Sequence, residues 1–318
     1  MIEGAKSMAI DLPREVELRA CSMGSAGIEW LNGLEDILSE LEDKWNIRRG
    51  KILFGGSHAC VCEVYRPEGE KLILKIDLPD VPEEEYAREV ETLRIADGHG
   101  YVRLCACDIW KRAMLLERLG KPLKESGLPA EEQMRIICET LSESWTIPVP
   151  KGKLPEGSES LKWFRDYLRP AWLSLGRPCS DSVVNRAYEC IESRERNLNP
   201  SGFVLVHGDA HNNNTLFNPD GSGRYKLIDP DGMLCEKACD LGVLMREWPE
   251  IYKADPVKEG RDRCTYLSEL TGVDARGIWE WGYIQMVSTA MVLFETGRKE
   301  LAREMLDIAY AWSGVSVE

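Results

Sequence analysis

The sequence lacks a long apolar run. In 318 residues, no hydrophobic stretch approaches the roughly 20 residues that a helix needs to cross a bilayer. The first 17 residues, MIEGAKSMAIDLPREVE, carry acidic side chains and a proline where a signal peptide would need an unbroken apolar core. We therefore expect a cytoplasmic protein without membrane contact. Its hydrophobic content of 43% and charged content of 30% are typical of a globular chain.

The sequence also has fewer positively charged than negatively charged residues. The 40 Lys and Arg residues are outnumbered by 54 Asp and Glu residues, which gives a formal net charge of −14. Nucleic-acid binding rests on cationic contacts with phosphates, so this balance argues against a nucleic-acid partner. An acidic surface is compatible with a cationic small molecule as partner, although many acidic proteins have no such ligand.

Histidine is scarce, with four residues in the whole chain: His58, His99, His207 and His211. A metal site with several imidazole ligands would therefore have to bring distant segments together. The 11 cysteines are numerous, but their number is odd and no C-x-x-C pair occurs. Buried free thiols are favoured, with zinc binding or disulfides as the alternatives.

The chain is long enough for two lobes, each with its own core. Residues 12–23 and 27–46 carry helical periodicity, after which the pattern changes to period two. We expect three antiparallel strands over residues 51–77, the first two joined by the loop Gly55-Gly56-Ser57. The backbone amides of such a loop can approach a phosphate closely, although many Gly-Gly-Ser turns are plain hairpins.

The most informative stretch is residues 203–231. An apolar strand ends in the polar loop 207–214, and a hairpin then delivers Asp229 at the end of its second strand. When the hairpin closes, Asp209, Asn214 and Asp229 lie near each other. Phosphoryl transfer from a nucleotide needs a carboxylate that orients the attacking hydroxyl, and it needs oxygen ligands for Mg²⁺. These three side chains would supply both.

The pattern His207-x-Asp209-x-His211 leaves two other interpretations. His and Asp at alternating positions can converge on a metal in a metallohydrolase, but a chain with four histidines would have to recruit the others from afar. The loop could also be purely structural. Three consecutive asparagines, 212–214, are unfavourable outside a loop, and this favours a functional site over a purely structural loop.

The segments HGDAHNNNTLF (207–217) and LIDPDG (227–232) resemble the catalytic loop and the metal-binding segment of the aminoglycoside phosphotransferase family, which has a protein-kinase-like fold. The resemblance implies that Asp209 is the catalytic base and that Asn214 and Asp229 are Mg²⁺ ligands. It also implies ATP, or alternatively GTP, as the phosphoryl donor.

Lys75 interrupts an apolar strand, and alternation places it on the face opposite Leu72 and Leu74. Glu89 follows fourteen positions later in the helical run 82–96. In a kinase-like arrangement such a lysine holds the α- and β-phosphates, and a helix glutamate orients it. The alternative is an edge lysine that reaches solvent, beside a solvated helix in which Glu85 and Glu91 are rival acids. By position alone, Glu117 and Leu119 of the lobe connector would offer backbone groups to adenine.

Six further segments recur in order: WLNGL (30–34), DKW (43–45), VRL (102–104), MLLERL (114–119), IDP (228–230) and DL (240–241). In order and spacing they look like the streptomycin 6-kinase branch, often described as aminoglycoside/hydroxyurea resistance kinases, and the similarity extends from about residue 28 to about 297. The branch implies a streptomycin-like acceptor, whose guanidinium or amino groups would need carboxylates. Candidates are Asp231, Glu247 and Glu295. Asp240 is expected to brace the catalytic loop by accepting backbone hydrogen bonds. The loop departs from the branch at His207-Gly208 and in its asparagine run, so the identity of the acceptor stays open.

Together these patterns predict an α+β, bilobal protein-kinase-like fold. Residues 1–118 would form an antiparallel-sheet lobe with preceding helices, and residues 119–318 a mainly helical lobe with the catalytic loop and acceptor site, in a monomer or weak homodimer. Only ten residues separate Asp229 from Asp240, too few for the activation segment of a protein kinase. The alternatives are a kinase of another hydroxylated metabolite or of a viomycin- or capreomycin-type peptide antibiotic, and a non-catalytic nucleotide-binding protein.

Overall fold

The computed structural model describes residues 10–54, 56, 58–315 and 317. The chain divides into two units, one containing the residues up to Gly98 together with Val102–Arg118, the other containing His99–Tyr101 and the residues from Leu119 onward. No helix in the described ranges has the length and apolar character that crossing a bilayer requires.

The first unit is built on an antiparallel sheet. Its strands are β1 (Arg48–Ile52), β2 (Ala59–Tyr65), β3 (Lys71–Asp77), β4 (Leu104–Asp108) and β5 (Ala113–Glu117), and its helices are α1 (Arg14–Ser22), α2 (Ser25–Trp45) and α3 (Glu83–Ala96). The five strands are ordered β1-β2-β3-β5-β4, and all neighbouring pairs are antiparallel. β3 therefore lies at the centre of the sheet.

One face of this sheet carries the core of the first unit. Alternation along β3 buries Leu72, Leu74 and Ile76. These side chains belong to one apolar cluster with Leu34 and Leu38 of α2. The helices that precede the sheet thus cover one of its faces, and burial of each such side chain stabilises the unit by about 1.5–3 kcal/mol.

The second unit is mainly helical. Its helices are α4 (Ala130–Ser144), α5 (Gly157–Ser174), α6 (Asp181–Asn197), α7 (Ala238–Arg246), α8 (Pro256–Thr271), α9 (Ala275–Glu295) and α10 (Lys299–Trp312), with short 3₁₀ helices at Leu123–Ser126, Pro200–Gly202 and Pro249–Lys253. Its strands are β6 (Val204–Val206), β7 (Thr215–Phe217), β8 (Tyr225–Leu227) and β9 (Met233–Cys235). β6 pairs with β9 and β7 with β8, both antiparallel. The buried helix α9 is central, because α5, α6, α7, α8 and α10 all pack against it.

Three elements differ from what the sequence pattern predicts. The pattern predicts a strand over Tyr101–Ile109, but this strand begins at Leu104, and Tyr101 instead bridges Leu227 in the second unit. It also predicts a helix over roughly Lys237–Trp248, but this helix ends at Arg246, because Trp248 has φ 50° and precedes a proline that disfavours helical backbone at that position. Strand β9 was not expected, since three residues carry too little periodicity to be recognised.

Candidate active site

The polar loop that begins at His207 is held by a buried carboxylate. Strand β6 delivers the loop, and Oδ1 of Asp240 accepts the backbone N–H groups of His207 and Gly208, both at 2.9 Å. Oδ2 of Asp240 accepts Nε1–H of Trp145, also at 2.9 Å. Burial raises the pKa of Asp240 to about 6, against the effect of these donors. The bracing role expected for Asp240 is therefore seen directly in its hydrogen bonds.

His207 is fully buried and serves the loop rather than a metal. Its Nε2 lies 2.8 Å from the carbonyl oxygen of Ile228, and its Nδ1 accepts the backbone N–H of Asp209 at 3.1 Å. This pattern places the ring proton on Nε2. Burial lowers the pKa of His207 to about 4, so the ring is neutral near pH 7. Its ring stacks on Tyr101, with centroids 5.8 Å apart.

Gly208 occupies a backbone position that requires glycine. Its φ is +88°, and a Cβ at this position would lie 2.8 Å from Cβ and from Oδ2 of Asp231. An L-residue here would meet both backbone strain and a collision. The same contact places the side chain of Asp231 beside the loop 207–214, and the N–H of Asp231 donates to the carbonyl oxygen of His207 at 2.9 Å.

Asp209 lies between the guanidinium of Arg246 and the imidazole of His211. Nη2 of Arg246 contacts its Oδ1, and Nε2 of His211 lies 3.4 Å from its Oδ2. Burial opposes ionisation of Asp209, but the charges of Arg246 and His211 outweigh it and hold the pKa of this carboxyl well below its usual range. Burial likewise opposes the charged form of His211, yet its bond to Asp209 raises the pKa of His211. The carboxylate is thus ionised and held from two sides.

Arg246 is itself anchored on α9. Its Nη1 donates to Oε1 of Gln285 at 2.9 Å and to Oγ1 of Thr289 at 2.8 Å. Glu247, a predicted acceptor-binding residue, lies next to it, with Oε1 3.7 Å from Nε of Arg246. The structure therefore brings Glu247, like Asp231, close to Asp209.

The hairpin β7–β8 brings Asn214 and Asp229 together. The N–H of Ile228 donates to the carbonyl oxygen of Asn214 at 2.9 Å, and Asp229 is the next residue. Nδ2 of Asn214 donates to the carbonyl oxygen of Asp209 at 3.2 Å. Asp229 is exposed and has φ 56°, a left-handed conformation that Asp tolerates better than most residues. The backbone contacts therefore make the three residues predicted to share a site neighbours.

The described residues include no group of three or more His, Cys, Asp and Glu side chains arranged to hold a metal. The metallohydrolase interpretation finds no support in the geometry, since His207 and His211 are both engaged with the loop or with Asp209. All eleven cysteines are free thiols, and burial raises the pKa of Cys60 to about 12. The buried cysteines are therefore part of the core.

In the first unit, Lys75 and Glu89 form a close ion pair. Nζ of Lys75 lies 2.7 and 2.9 Å from the two carboxylate oxygens of Glu89, and 3.8 Å from Oδ1 of Asp77. The rival acids point to other partners, Glu85 to Arg88 and Glu91 to Arg94. α3 thus places one glutamate against the lysine of the central strand.

The structure says less about the other residues that were predicted to bind the nucleotide. Gly56 is exposed, whereas Gly55 and Ser57 lie outside the described residues. At the end of β5, Oε1 of Glu117 accepts the N–H of Arg103 at 2.7 Å. Leu119 is buried, with 2% of its surface exposed.

Glu295, the third predicted acceptor-binding residue, is the last residue of α9. Its Oε2 accepts the phenol O–H of Tyr167 on α5 at 3.0 Å. It lies six positions beyond Thr289, and the chain therefore rises about 9 Å along the helix axis between them. Sequence reasoning did not identify Arg246, Gln285, Thr289 or Trp145, because nothing in their local spacing signals contact with a loop many residues away.

Comparison with known proteins assigns this chain to a family. Residues 44–297 match the model of the aminoglycoside/hydroxyurea antibiotic resistance kinase family. The chain belongs to this family. The family expectation from the sequence is thereby confirmed, and the protein is a phosphotransferase that acts on a hydroxyl group.

Two relatives of this family member cover nearly its whole length. A streptomycin 6-kinase of Streptomyces glaucescens is 25% identical over 97% of this chain and 99% of the relative. A hydroxyurea phosphotransferase of Kitasatospora aureofaciens is 33% identical over 94% of this chain and 85% of the relative.

Solved structures confirm the kinase-like fold of this resistance kinase. A choline kinase of Streptococcus pneumoniae superposes with a TM-score of 0.59 at 15% identity, covering 86% of this chain and 99% of the other. A spectinomycin phosphotransferase in complex with ADP and spectinomycin gives a TM-score of 0.52 at 15% identity, covering 85% and 93%. At this identity the likeness establishes the fold alone.

Proposed function

We propose that the protein transfers the γ-phosphoryl group of ATP, with Mg²⁺, to a hydroxyl of a streptomycin-like aminoglycoside. The observation that carries this proposal is the contact of Asn214 with the backbone of Asp209, beside Asp229 at the end of the hairpin. A base and two oxygen ligands on one small element match the needs of phosphoryl transfer, which depends mainly on positioning and electrostatics.

Each residue then has a defined task. Asp209 would orient the acceptor hydroxyl and accept its proton as the hydroxyl oxygen attacks the γ-phosphorus and the bond to the leaving ADP oxygen breaks. Arg246 and His211 keep the base ionised and fix its position. Lys75, oriented by Glu89, would bind the phosphate oxygens as an ion pair.

The donor atoms fit Mg²⁺. The carboxylate of Asp229 and the amide oxygen of Asn214 are hard oxygen donors, which Mg²⁺ prefers, and one or two protein ligands plus phosphates are usual for this ion. Because Nδ2 of Asn214 is engaged by the carbonyl oxygen of Asp209, its Oδ1 is the atom offered to a metal. Bound Mg²⁺ would neutralise the charge on the phosphate oxygens.

The relatives favour two acceptors. Streptomycin is supported by the streptomycin 6-kinases of S. glaucescens and of Streptomyces griseus, each 25% identical over more than nine tenths of the chain. Hydroxyurea is the second candidate, supported by the relative that is 33% identical. The acidic net charge of −14 is in keeping with the cationic acceptor of the two.

The proposal is tested by ADP release from Mg²⁺-ATP in the presence of streptomycin or hydroxyurea. We expect streptomycin-dependent turnover that falls about 100-fold or more in Asp209→Asn. Asp262→Asn is the matched control, since Asp262 is an exposed carboxylate whose partner is a surface lysine. Turnover without a response to Asp209→Asn would refute the role of the base.

The assignment of Asp229 as an Mg²⁺ ligand is tested by a separate binding measurement. Asp229→Ala should weaken the binding of a nonhydrolysable ATP analogue in the presence of Mg²⁺ and abolish the dependence of that binding on Mg²⁺, as measured by titration calorimetry. Unchanged affinity and unchanged metal dependence would show that Asp229 is not a ligand.

A further inference from the structure

Helix α5 presents a large aromatic pair on the surface of the second unit. The rings of Trp163 and Tyr167 are stacked, with centroids 4.8 Å apart and an angle of 13° between planes. Trp163 is 52% exposed. The intervening residue Phe164 instead packs edge-on against Trp281 of α9, so α5 is anchored in the core while its neighbouring tryptophan faces solvent.

A carboxylate completes this surface. The hydroxyl of Tyr167 donates to Oε2 of Glu295, which is exposed at the end of α9. Burial and the adjoining carboxylate raise the pKa of Tyr167, so the phenol stays protonated and continues to donate. We call Trp163, Tyr167 and Glu295 the aromatic–acid patch.

Both helices that carry the patch also contact elements next to the segment with Asp209. On α5, Oγ of Ser160 lies 3.1 Å from the sulfur of Met233, whose strand pairs with β6 directly before the catalytic loop. Trp163 lies one helical turn beyond Ser160. On α9, Thr289 binds Arg246, the residue in contact with Asp209. The two helices that carry the patch therefore also support the elements that hold the catalytic loop and Arg246.

The cations of α5 have partners other than Glu295: Lys162 and Arg165 pair with carboxylates, and Arg169 donates to Oδ1 of Asn185. Nζ of Lys162 lies 3.1 Å from Asp166, and Nη2 of Arg165 lies 2.5 Å from Glu195. Neither contact involves Glu295. An exposed aromatic face beside an exposed carboxylate is thus a combination that suits a cation supplied from solution, because the ring face attracts positive charge and the carboxylate forms a charge-assisted hydrogen bond.

We infer that the aromatic–acid patch binds a guanidinium or ammonium group of the acceptor while Asp209 engages its hydroxyl. A planar guanidinium both stacks on an indole and pairs with a carboxylate. An acceptor that engages the patch must carry a positive charge, which neutral hydroxyurea lacks. The inference rests on the proposed function and narrows its acceptor to the cationic class.

Steady-state kinetics with streptomycin, which carries guanidinium groups, test the patch. Trp163→Ala should raise KM for streptomycin about tenfold while KM for ATP changes less than twofold, and Trp163→Phe should lie between the wild type and the alanine variant. Glu295→Gln should raise KM for streptomycin severalfold. Trp110→Ala is the matched control, because Trp110 is 96% exposed in the first unit and should leave both constants unchanged. Far-UV circular dichroism verifies folding of each variant.

Calorimetric measurement of streptomycin binding distinguishes failure of the patch from failure of the proposed function. If the wild type binds streptomycin with an affinity that Trp163→Ala reduces about tenfold, but releases no ADP, the patch stands and the proposed function fails. If the wild type phosphorylates streptomycin and Trp163→Ala leaves its KM unchanged, the patch is refuted and the function stands. If the wild type neither binds nor phosphorylates streptomycin, the inference is overturned.

Discussion

Asp240→Asn is the substitution for which the structure makes the sharpest stability prediction. The carboxylate is completely buried and accepts three N–H donors, two from the backbone of the catalytic loop and one from Trp145. Asparagine keeps the shape but replaces one acceptor oxygen by an NH₂ donor. The native site contains donors alone around both oxygens, so the new group has the wrong polarity wherever it is placed.

The magnitude follows from the better of the two amide orientations. With its oxygen toward His207 and Gly208, the amide keeps both backbone bonds but sets its NH₂ against Nε1–H of Trp145. Leaving buried donors unsatisfied costs about 1–3 kcal/mol, and the two retained bonds weaken from charge-assisted to neutral. Relief from burying a charge offsets part of this loss. We expect a net decrease of about 2–4 kcal/mol in the free energy of unfolding.

Urea denaturation followed by far-UV circular dichroism measures this loss, and a double-mutant cycle identifies its cause. Trp145→Phe removes the opposing donor, so combining it with Asp240→Asn should recover about 1 kcal/mol or more relative to the sum of the single effects. Additive effects within about 0.5 kcal/mol would show that the two groups do not interact as described. A loss below about 0.5 kcal/mol for Asp240→Asn alone would refute the bracing role itself.

Three further predictions concern the residues around Asp209. Folding lowers the pKa of His207 from about 6.5 to about 4, so the unfolded state takes up a proton first as the pH falls. The free energy of unfolding should therefore decrease by about 3 kcal/mol between pH 6.5 and pH 4. Urea unfolding of His207→Gln should show a weaker dependence on pH across this range. Gly208→Ala should destabilise the protein by about 1–3 kcal/mol through its positive φ and its contact with Asp231, and a wild-type melting temperature would contradict this. Arg246→Ala should lower kcat about tenfold or more, with Arg246→Lys between, while KM for ATP changes little; kcat within twofold of the wild type would exclude a positioning role.

Much of this architecture could be predicted from the sequence because its signals are local. Period-two alternation placed Lys75 opposite Leu72 and Leu74, and a helical run at the right separation offered Glu89 as its partner. The hairpin turn between β7 and β8 sets the spacing that brings Asn214 to the residue before Asp229. In each case, a short segment of regular backbone fixes the distance in space between residues whose separation along the chain is known.

The residues that surround the base could not be predicted in this way. Trp145 and Asp240 are 95 positions apart, and Asp209 and Arg246 are 37 apart with a hairpin and a strand between them. Such contacts depend on how α4, α7 and α9 pack, and helix packing is set by whole faces rather than by a motif. Arg246 at the end of α7 looks like any basic residue that favours a helix C-terminus, so its contact with the base emerges only from the fold.

The charges around Asp209 also constrain how a cationic acceptor can bind. Arg246 already places a guanidinium on the carboxylate, and His211 adds a second proton-binding group on its other oxygen. A positively charged group of the acceptor would be repelled from this position, whereas a neutral hydroxyl would not. In the proposed mechanism, Asp209 would engage the hydroxyl while Asp231, Glu247 or Glu295 would bind the cationic groups. This separation of charge is the physical reason to expect acceptor affinity and acceptor turnover to respond to different residues of the same unit.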